Sequence, residues 1–258
     1  MLPLKDENPT RNTAVVTVVI IAICVGVWVL VQQAGQREDN EEFTFETAAI
    51  PCEVVQGRPL AVEEIRDTVR FGDDTACTSL PSTRPYFPDK NEYLALVYSM
   101  FMHGSWIHLL GNMLFLWVFG NNIEDRLGVA KFVAFYLAAG IAATAAHIAV
   151  QPDSTVPLVG ASGAIAGVMG AYLVLYPNVR IRSLILLGFI VLFRDIAAKW
   201  LLGIWLVSQF FINPNEGVAW MAHVGGFVFG VLAGLLLRAT GDPEERYYNA
   251  PTPTPWRY

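Results

Sequence analysis

The sequence predicts an all-α integral membrane protein, a bundle of six membrane-spanning helices with both termini in the cytoplasm. Three observations carry that prediction. The 258 residues are 54% hydrophobic and only 16% charged, with a mean hydropathy of +0.43, whereas a soluble domain carries about 25% charge. Uncharged runs of spanning length recur along the chain, and a span needs about 20 apolar residues at 1.5 Å each. Lysine and arginine gather in alternate connections between those runs, the pattern of loops retained on the cytoplasmic side.

Taken in order, residues 1–12 form a cytoplasmic N-terminus carrying Lys5 and Arg11. The first span is 13–31, uncharged throughout. It starts too late and runs too long for a signal peptide, and it lacks a small-residue cleavage site at its end, so it reads as a retained helix. Residues 32–92 form an acidic external loop. Six basic and thirteen acidic residues lie between 37 and 92, against eleven and ten in the rest of the chain, so all the net negative charge sits there. Its Pro, Thr and Asp content suggests a small, loop-rich cap with one helix over 62–69.

Residues 93–238 form the membrane core. The stretch 93–123 is uncharged, and its second half, 106–123, is the second span; the third is 132–152, the fourth falls within 154–179 and the sixth within 217–237. Between them lie two apolar pieces, 183–193 and 200–212, split by Arg194, Asp195 and Lys199. Eleven residues reach only about 16 Å as a helix. The first piece therefore reads as interfacial or as a cytoplasmic extension. The fifth span becomes 196–212, with Lys199 snorkelling to the headgroups. Residues 239–258, with four prolines, read as a disordered cytoplasmic tail. Arg126 and Lys131, Arg180 and Arg182, and Arg238, Arg246 and Arg257 fall on one side of this topology, while the third-to-fourth and fifth-to-sixth connections hold no Lys or Arg.

Polar residues inside a membrane are rare and costly, which makes each a functional candidate. Four stand out: His108 and Asn112 in "HLLGN", Ser162 in "GASG" and His223 in "AHVGGFVFG". In the topology above the second, fourth and sixth spans all run inward. His108, Ser162 and His223 then lie near the outer starts of those spans, in one leaflet. Ser162 also has a bland reading as one more small packing residue. Glycines follow both Ser162 (Gly163, Gly167, Gly170) and His223 (Gly226, Gly230, Gly234). Two helices with such seams can approach to backbone contact and bring the imidazole within reach of the hydroxyl. A serine needs a base to become a nucleophile, and histidine is the usual one. Acyl transfer also needs donors for the developing oxyanion. His108 and Asn112 share a helix face at i and i+4, and the Ser162 N–H is free at a helix N-terminus.

The segments "HGSWIHLLGNMLFLWVFGNNIE", "GASGAIAGVMGAY" and "AHVGGFVFG" together resemble the three signature regions of the rhomboid family of intramembrane serine proteases. Order and spacing match, and the resemblance covers 93–237. It implies a rhomboid-like bundle in which Ser162 is the nucleophile and His223 the general base of a dyad without an Asp. It implies that His108, Asn112 and the Ser162 N–H line the oxyanion hole. Gly160 and Gly163 flank the nucleophile, Gly226 and Gly230 pack the last helix closely, and Glu124 ties helices at the cytoplasmic end. The substrates implied are single-pass membrane proteins cut within or near their membrane segment, in the plasma membrane of a prokaryote, with the site open to the outer side. The alternative is an inactive relative that binds membrane helices in trafficking or quality control; such proteins usually lack the dyad. Two features depart from the family pattern. Ala166 stands where some members have a Tyr on which the catalytic imidazole stacks, leaving a backbone carbonyl or Trp220 to orient His223. A Trp-Arg pair that some members carry ahead of the oxyanion His is replaced by "LALVYSMFMHG".

The remaining signals are weaker. Cys52 and Cys77 lie in the external loop as a bridge or as two thiols, and Cys24 packs in the first span. His103 and His147 read as structural. No metal-ligand cluster or phosphate loop occurs, so neither metal nor cofactor is implied, and no nucleic-acid signature is present. The lipid bilayer is a partner besides substrate, and the sequence leaves the oligomeric state open.

Overall fold

The protein is described here by a computed structural model covering residues 1–36, 39–78, 84–188, 190–212 and 218–240. After a short strand β1 (Leu2–Asp6), helix α1 (Val15–Gly26) continues through a π-turn (Val27–Val31), so helix fills most of 13–31. The α1 N-terminus has no cap of its own. The buried Glu124 carboxylate supplies one from elsewhere in the chain, accepting 2.7 Å hydrogen bonds from the Val16 N–H, the Thr17 N–H and the Thr17 hydroxyl. These are the orphan donors of a helix start, where negative charge is also favoured. Glu124 is thus a helix tie in fact.

The acidic segment is more helical than its composition suggests. It holds α2 (Asn40–Thr47), α3 (Pro51–Gln56) and α4 (Val62–Phe71), and α5 (Glu92–Tyr98) begins at its last residue. Only α4 coincides with the helix expected over 62–69. The others are one or two turns long, too short for a periodic signal and too short to persist without tertiary packing. They are held by a small core of Phe45, Ile50, Cys52 and Leu60 and by a disulfide joining Cys52 to Cys77. Two ion pairs brace this cap: Lys90 to Glu53 at 2.6 Å, both sealed from solvent, and Arg58 to Glu64 at 2.8 Å. Burial pushes the Glu64 carboxyl up, but Arg58 together with the Ala61 and Thr78 N–H groups outweighs it and holds the group at about 2.

The bundle comprises α6 (Trp106–Leu127), α7 (Val129–Val150), α8 (Ser162–Leu175), α9 (Ala198–Gln209) and α10 (Trp220–Ala239). Helix α8 is the hub, buried along most of its length and packed by α6, α7, α9 and α10. Among the described residues, α7 and α10 are long and apolar enough to cross a membrane, while Val15–Val31 and α8 are shorter apolar helices.

Several expectations are corrected. The chain is mostly helical but not all-α: β2 (Arg180–Leu187) and β3 (Ile190–Ala197) form an antiparallel hairpin, and β1 adds to β2 in the order β1-β2-β3. Within the apolar piece, residues 183–187 and 190–193 are therefore strand rather than an interfacial or extended helix. Its Ile, Leu, Val and Phe suit a pleated surface. Ile196 and Ala197 belong to β3, so the fifth helix begins at Ala198 and spans twelve residues rather than 196–212. The fourth span shrinks likewise from 154–179 to fourteen helical residues. Residues 154–161 are a loop, because an uncharged run broken by Pro157 and Gly160 has no need to be helical. The expected tail at 239–258 begins one residue too early, since α10 includes Ala239; residues 241–258 lie outside the described residues.

The glycine seam involves three helices rather than two. A Cβ at Gly226 or Gly230 would overlap the carbonyl oxygens of Gly163 and Gly167, so α10 rides on the α8 backbone. Gly163 and Gly167 themselves face α7: a Cβ there would come 2.7 Å from the Ala143 Cβ and 2.5 Å from the Ala139 Cβ. Closeness on this scale is available only to glycine and alanine faces.

Candidate active site

Ser162 is the first residue of α8, and His223 lies in the first turn of α10. The seam brings these two helix starts together. His223 Nε2 lies 2.8 Å from Ser162 Oγ, within ordinary hydrogen-bond distance. The other ring nitrogen, Nδ1, is 2.7 Å from Gln209 Oε1 at the end of α9. The Trp205 ring leans on the imidazole at 5.9 Å between centroids. Ala166, one turn below Ser162, is buried and offers no ring. Among the described residues, the groups in contact with the His223 ring besides Ser162 are Gln209 and Trp205, rather than the backbone carbonyl or Trp220 expected from the sequence.

Two donors converge opposite the serine. Ser105 caps α6 by accepting the His108 N–H, and this start places His108 and Asn112 one above the other on the face toward α8. His108 Nδ1 accepts the Gly104 N–H at 3.4 Å, which leaves Nε2 to carry the proton. Asn112 Nδ2 is buried and has no hydrogen-bond partner among the described residues. Both point at Gly160: a Cβ there would stand 2.7 Å from His108 Nε2 and 3.6 Å from Asn112 Nδ2. Gly160 also has φ +125°, a conformation L side chains rarely adopt. Its N–H is anchored on the Ser99 carbonyl at 2.9 Å. The Ser162 N–H belongs to the first turn of α8, whose donors have no intrahelical acceptor.

These groups line one cavity of about 660 Å³ that holds Ser162, His223, His108, Asn112 and Trp205, with His147 on its wall. The cap closes over its rim. Cys52 N–H donates to Ser154 O, Leu158 N–H to Ala49 O and Thr155 N–H to Asp74 O, so the loop leading into Ser162 is hydrogen-bonded to the cap. Of the residues singled out in the sequence, Ser162, His223, His108, Asn112, His147 and Trp220 line this cavity, and Gly160 backs the His108 and Asn112 side chains. Gly163, Gly226 and Gly230 hold the helices that carry it. His103 stays outside the cavity, its ring edge-on to His108 at 5.2 Å. Sequence reading missed Gln209 and Trp205. The available signal was a carboxamide at the end of the apolar run 200–212.

Chemically, a hydroxyl on an imidazole nitrogen with hydrogen-bond donors across a cavity is the arrangement that acyl transfer requires. The family model of the rhomboid domain matches residues 90–240. This chain belongs to the rhomboid family. The rhomboid core is therefore the bundle from α5 to α10, the family being one of integral membrane proteins. Among its relatives, YdcA of Bacillus subtilis is 32% identical over 164 residues, 60% of this chain and 72% of YdcA. Rhomboid protease GluP of Bacillus subtilis is 30% identical over 57% of this chain and 27% of GluP. The mitochondrial presenilin-associated rhomboid-like protein A of Danio rerio is 33% identical over 55% of this chain and 37% of that protein. The rhomboid chain thus spans well under half the length of the latter two.

Proposed function

We propose that this rhomboid is an intramembrane serine endopeptidase that cuts single-pass membrane proteins within or near their membrane segment. The observation that carries the reading is the 2.8 Å approach of His223 Nε2 to Ser162 Oγ. The Asn112 amide nitrogen, buried at the same cavity without a partner among the described residues, supports it. His223 takes the Ser162 proton as Oγ attacks the scissile carbonyl. His108 Nε2–H, Asn112 Nδ2–H and the Ser162 N–H receive the oxyanion. The imidazolium then protonates the leaving amine, and water, activated by the same imidazole, hydrolyses the acyl-enzyme. A helical substrate must unwind locally first, because an intact helix ties up the carbonyl. The intact dyad speaks against the inactive-relative reading.

The topology we assign has six spans: Val15–Val31, α6, α7, α8, α9 and α10, with both termini cytoplasmic. Lys5, Arg126, Arg180, Arg182 and Arg238 lie at the bundle end away from Ser162, where Arg126 also donates to the Leu237 carbonyl. Positive-inside then turns Ser162 and the acidic cap outward. The short α8 and α9 suit a locally thin or water-filled site rather than a full crossing by each. We place the protein in the plasma membrane of a prokaryote, since the chain covers 72% of YdcA but only 37% of the mitochondrial relative.

The test is labelling of the full chain in micelles with a serine-reactive fluorophosphonate, alongside cleavage of a membrane-segment substrate. Ser162→Ala and His223→Ala should each abolish both, and the double variant should do no further harm because the pair acts as a unit. Wild-type turnover in Ser162→Ala protein refutes the reading.

A further inference from the structure

We propose that Gln209 is the third member of the site, a positioning residue that holds His223 in the neutral tautomer protonated at Nδ1. This rests on the serine-protease reading above and deepens it. Gln209 is 5% exposed, and its carboxamide oxygen lies 2.7 Å from His223 Nδ1. Which way the amide points is set by its other end. Gln209 Nε2 donates to the Trp205 carbonyl at 3.0 Å and to Ser208 Oγ at 3.2 Å. The Ser208 hydroxyl spends its own proton on the same Trp205 carbonyl, at 2.6 Å, so its oxygen is free to accept. Turning the amide over would set Oε1 against a carbonyl oxygen, two acceptors with no proton between them. The amide nitrogen is therefore held on the α9 side and the oxygen faces the imidazole.

A carboxamide oxygen can only accept. His223 Nδ1 must then carry the ring proton, and Nε2 turns its lone pair to the Ser162 hydroxyl. The opposite tautomer would present an N–H to Ser162 and could not take its proton. Trp205, one turn before Gln209 on α9, leans on the ring face. Phe227, one turn beyond His223 on the same face of α10, packs on the same Trp205 ring at 5.9 Å between centroids. One helix thereby supplies both the acceptor for Nδ1 and the wall for the ring, in the place left by Ala166. The acceptor is also uncharged. It selects the tautomer without burying a carboxylate, and it lends no coulombic help to the imidazolium.

Two variants and one spectroscopic measurement test this. Gln209→Leu removes the acceptor at similar volume; it should lower kcat by about 10- to 100-fold with KM little changed, a part of what general-base catalysis supplies. Gln209→Glu restores an acceptor and adds charge; it should recover kcat and move the acid limb of the pH profile to higher pH, because a carboxylate stabilises the imidazolium. A residue that merely fills space would not shift that limb. Nitrogen-15 NMR of the full chain carrying Ser162→Ala, with labelled histidine, reads the tautomer without any cleavage. Nδ1–H is expected with Gln209 and a mixed or Nε2–H ring with Gln209→Leu. Finding Nε2–H in the presence of Gln209, or a Gln209→Leu protein with unchanged kcat and tautomer, overturns the proposal. Failure of the protease reading would show instead as cleavage that survives Ser162→Ala, whatever the tautomer.

Discussion

Gly230 lies two turns below His223 on α10, far from the chemistry, yet a side chain there should remove most activity. A Cβ built on it overlaps the Gly167 carbonyl oxygen and comes 2.7 Å from the Gly167 carbonyl carbon and 2.9 Å from its Cα, where ordinary contact begins at 3.4 Å. All three are backbone atoms, which cannot swing away as a side-chain tip can. Relief requires α10 to lift off α8 by on the order of 1 Å. The bond at stake is the 2.8 Å approach of His223 to Ser162, and a misplacement of 1 Å costs about 100-fold in rate. Gly230→Val should therefore lose about 100-fold or more in kcat. Gly234→Val is the matched control. A Cβ there meets the Val174 Cβ at 3.0 Å, the Ala171 Cα at 3.1 Å and the Ala171 carbonyl oxygen at 3.2 Å, so no atom is overlapped, a shift of a few tenths of an ångström relieves it, and it lies one turn further from the site. Overpacking alone costs about 1–3 kcal/mol, so Tm in detergent is measured beside cleavage and fluorophosphonate labelling. A Gly230→Val protein that melts and cleaves like wild type refutes the argument that backbone contact between α8 and α10 aligns the pair.

Three further outcomes are expected. Asn112→Ala should lower kcat by about 10- to 1000-fold, the scale of one lost oxyanion donor, and leave KM unchanged; lost affinity at full kcat would make Asn112 a substrate contact instead. The Cys52–Cys77 bridge spans a separation of 25 residues, so Cys52→Ser with Cys77→Ser should destabilise the cap by about 2–4 kcal/mol. Through the bonds from Cys52 and Ala49 to the loop before Ser162 it should also slow cleavage; mass spectrometry that finds both cysteines alkylated without reduction contradicts the bridge. Because the folded cap holds Glu64 at about 2, below its unfolded value, its contribution is present above about pH 4.5 and lost as pH falls toward 2. Glu64→Gln should lower the cap's melting temperature at pH 7 and converge on wild type near pH 2, read by limited proteolysis across pH; a gap that persists unchanged at low pH would sink this account.

How much of this was legible in advance differs residue by residue. Four of the cavity's polar side chains, His108, Asn112, Ser162 and His223, stood out because a membrane sequence holds few polar groups, and each departure from apolar character is visible by itself. Glu124 was legible as a tie, but its partners, the Val16 and Thr17 donors, were not, since nothing near Glu124 in sequence names the helix it caps. Gln209 escaped because its meaning lies fourteen positions away in the His223 ring. At the end of an apolar run a lone amide looks like the edge of the membrane.

The spread of charge and the uncharged runs by themselves determined that this chain carries a series of apolar helices, because water and lipid sort residues one at a time. The glycine spacing determined that helices could meet closely, without saying which. Tertiary structure alone decided that Gly226 and Gly230 rest on the Gly163 and Gly167 carbonyls while those two glycines face α7. It also decided that residues 180–197 pair as a hairpin and recruit β1 from the other end of the chain, and that the acidic segment folds into short helices over the site. Strand pairing, short-helix stability and the direction of a side-chain amide all depend on partners distant in sequence, and a local reading contains no term for them.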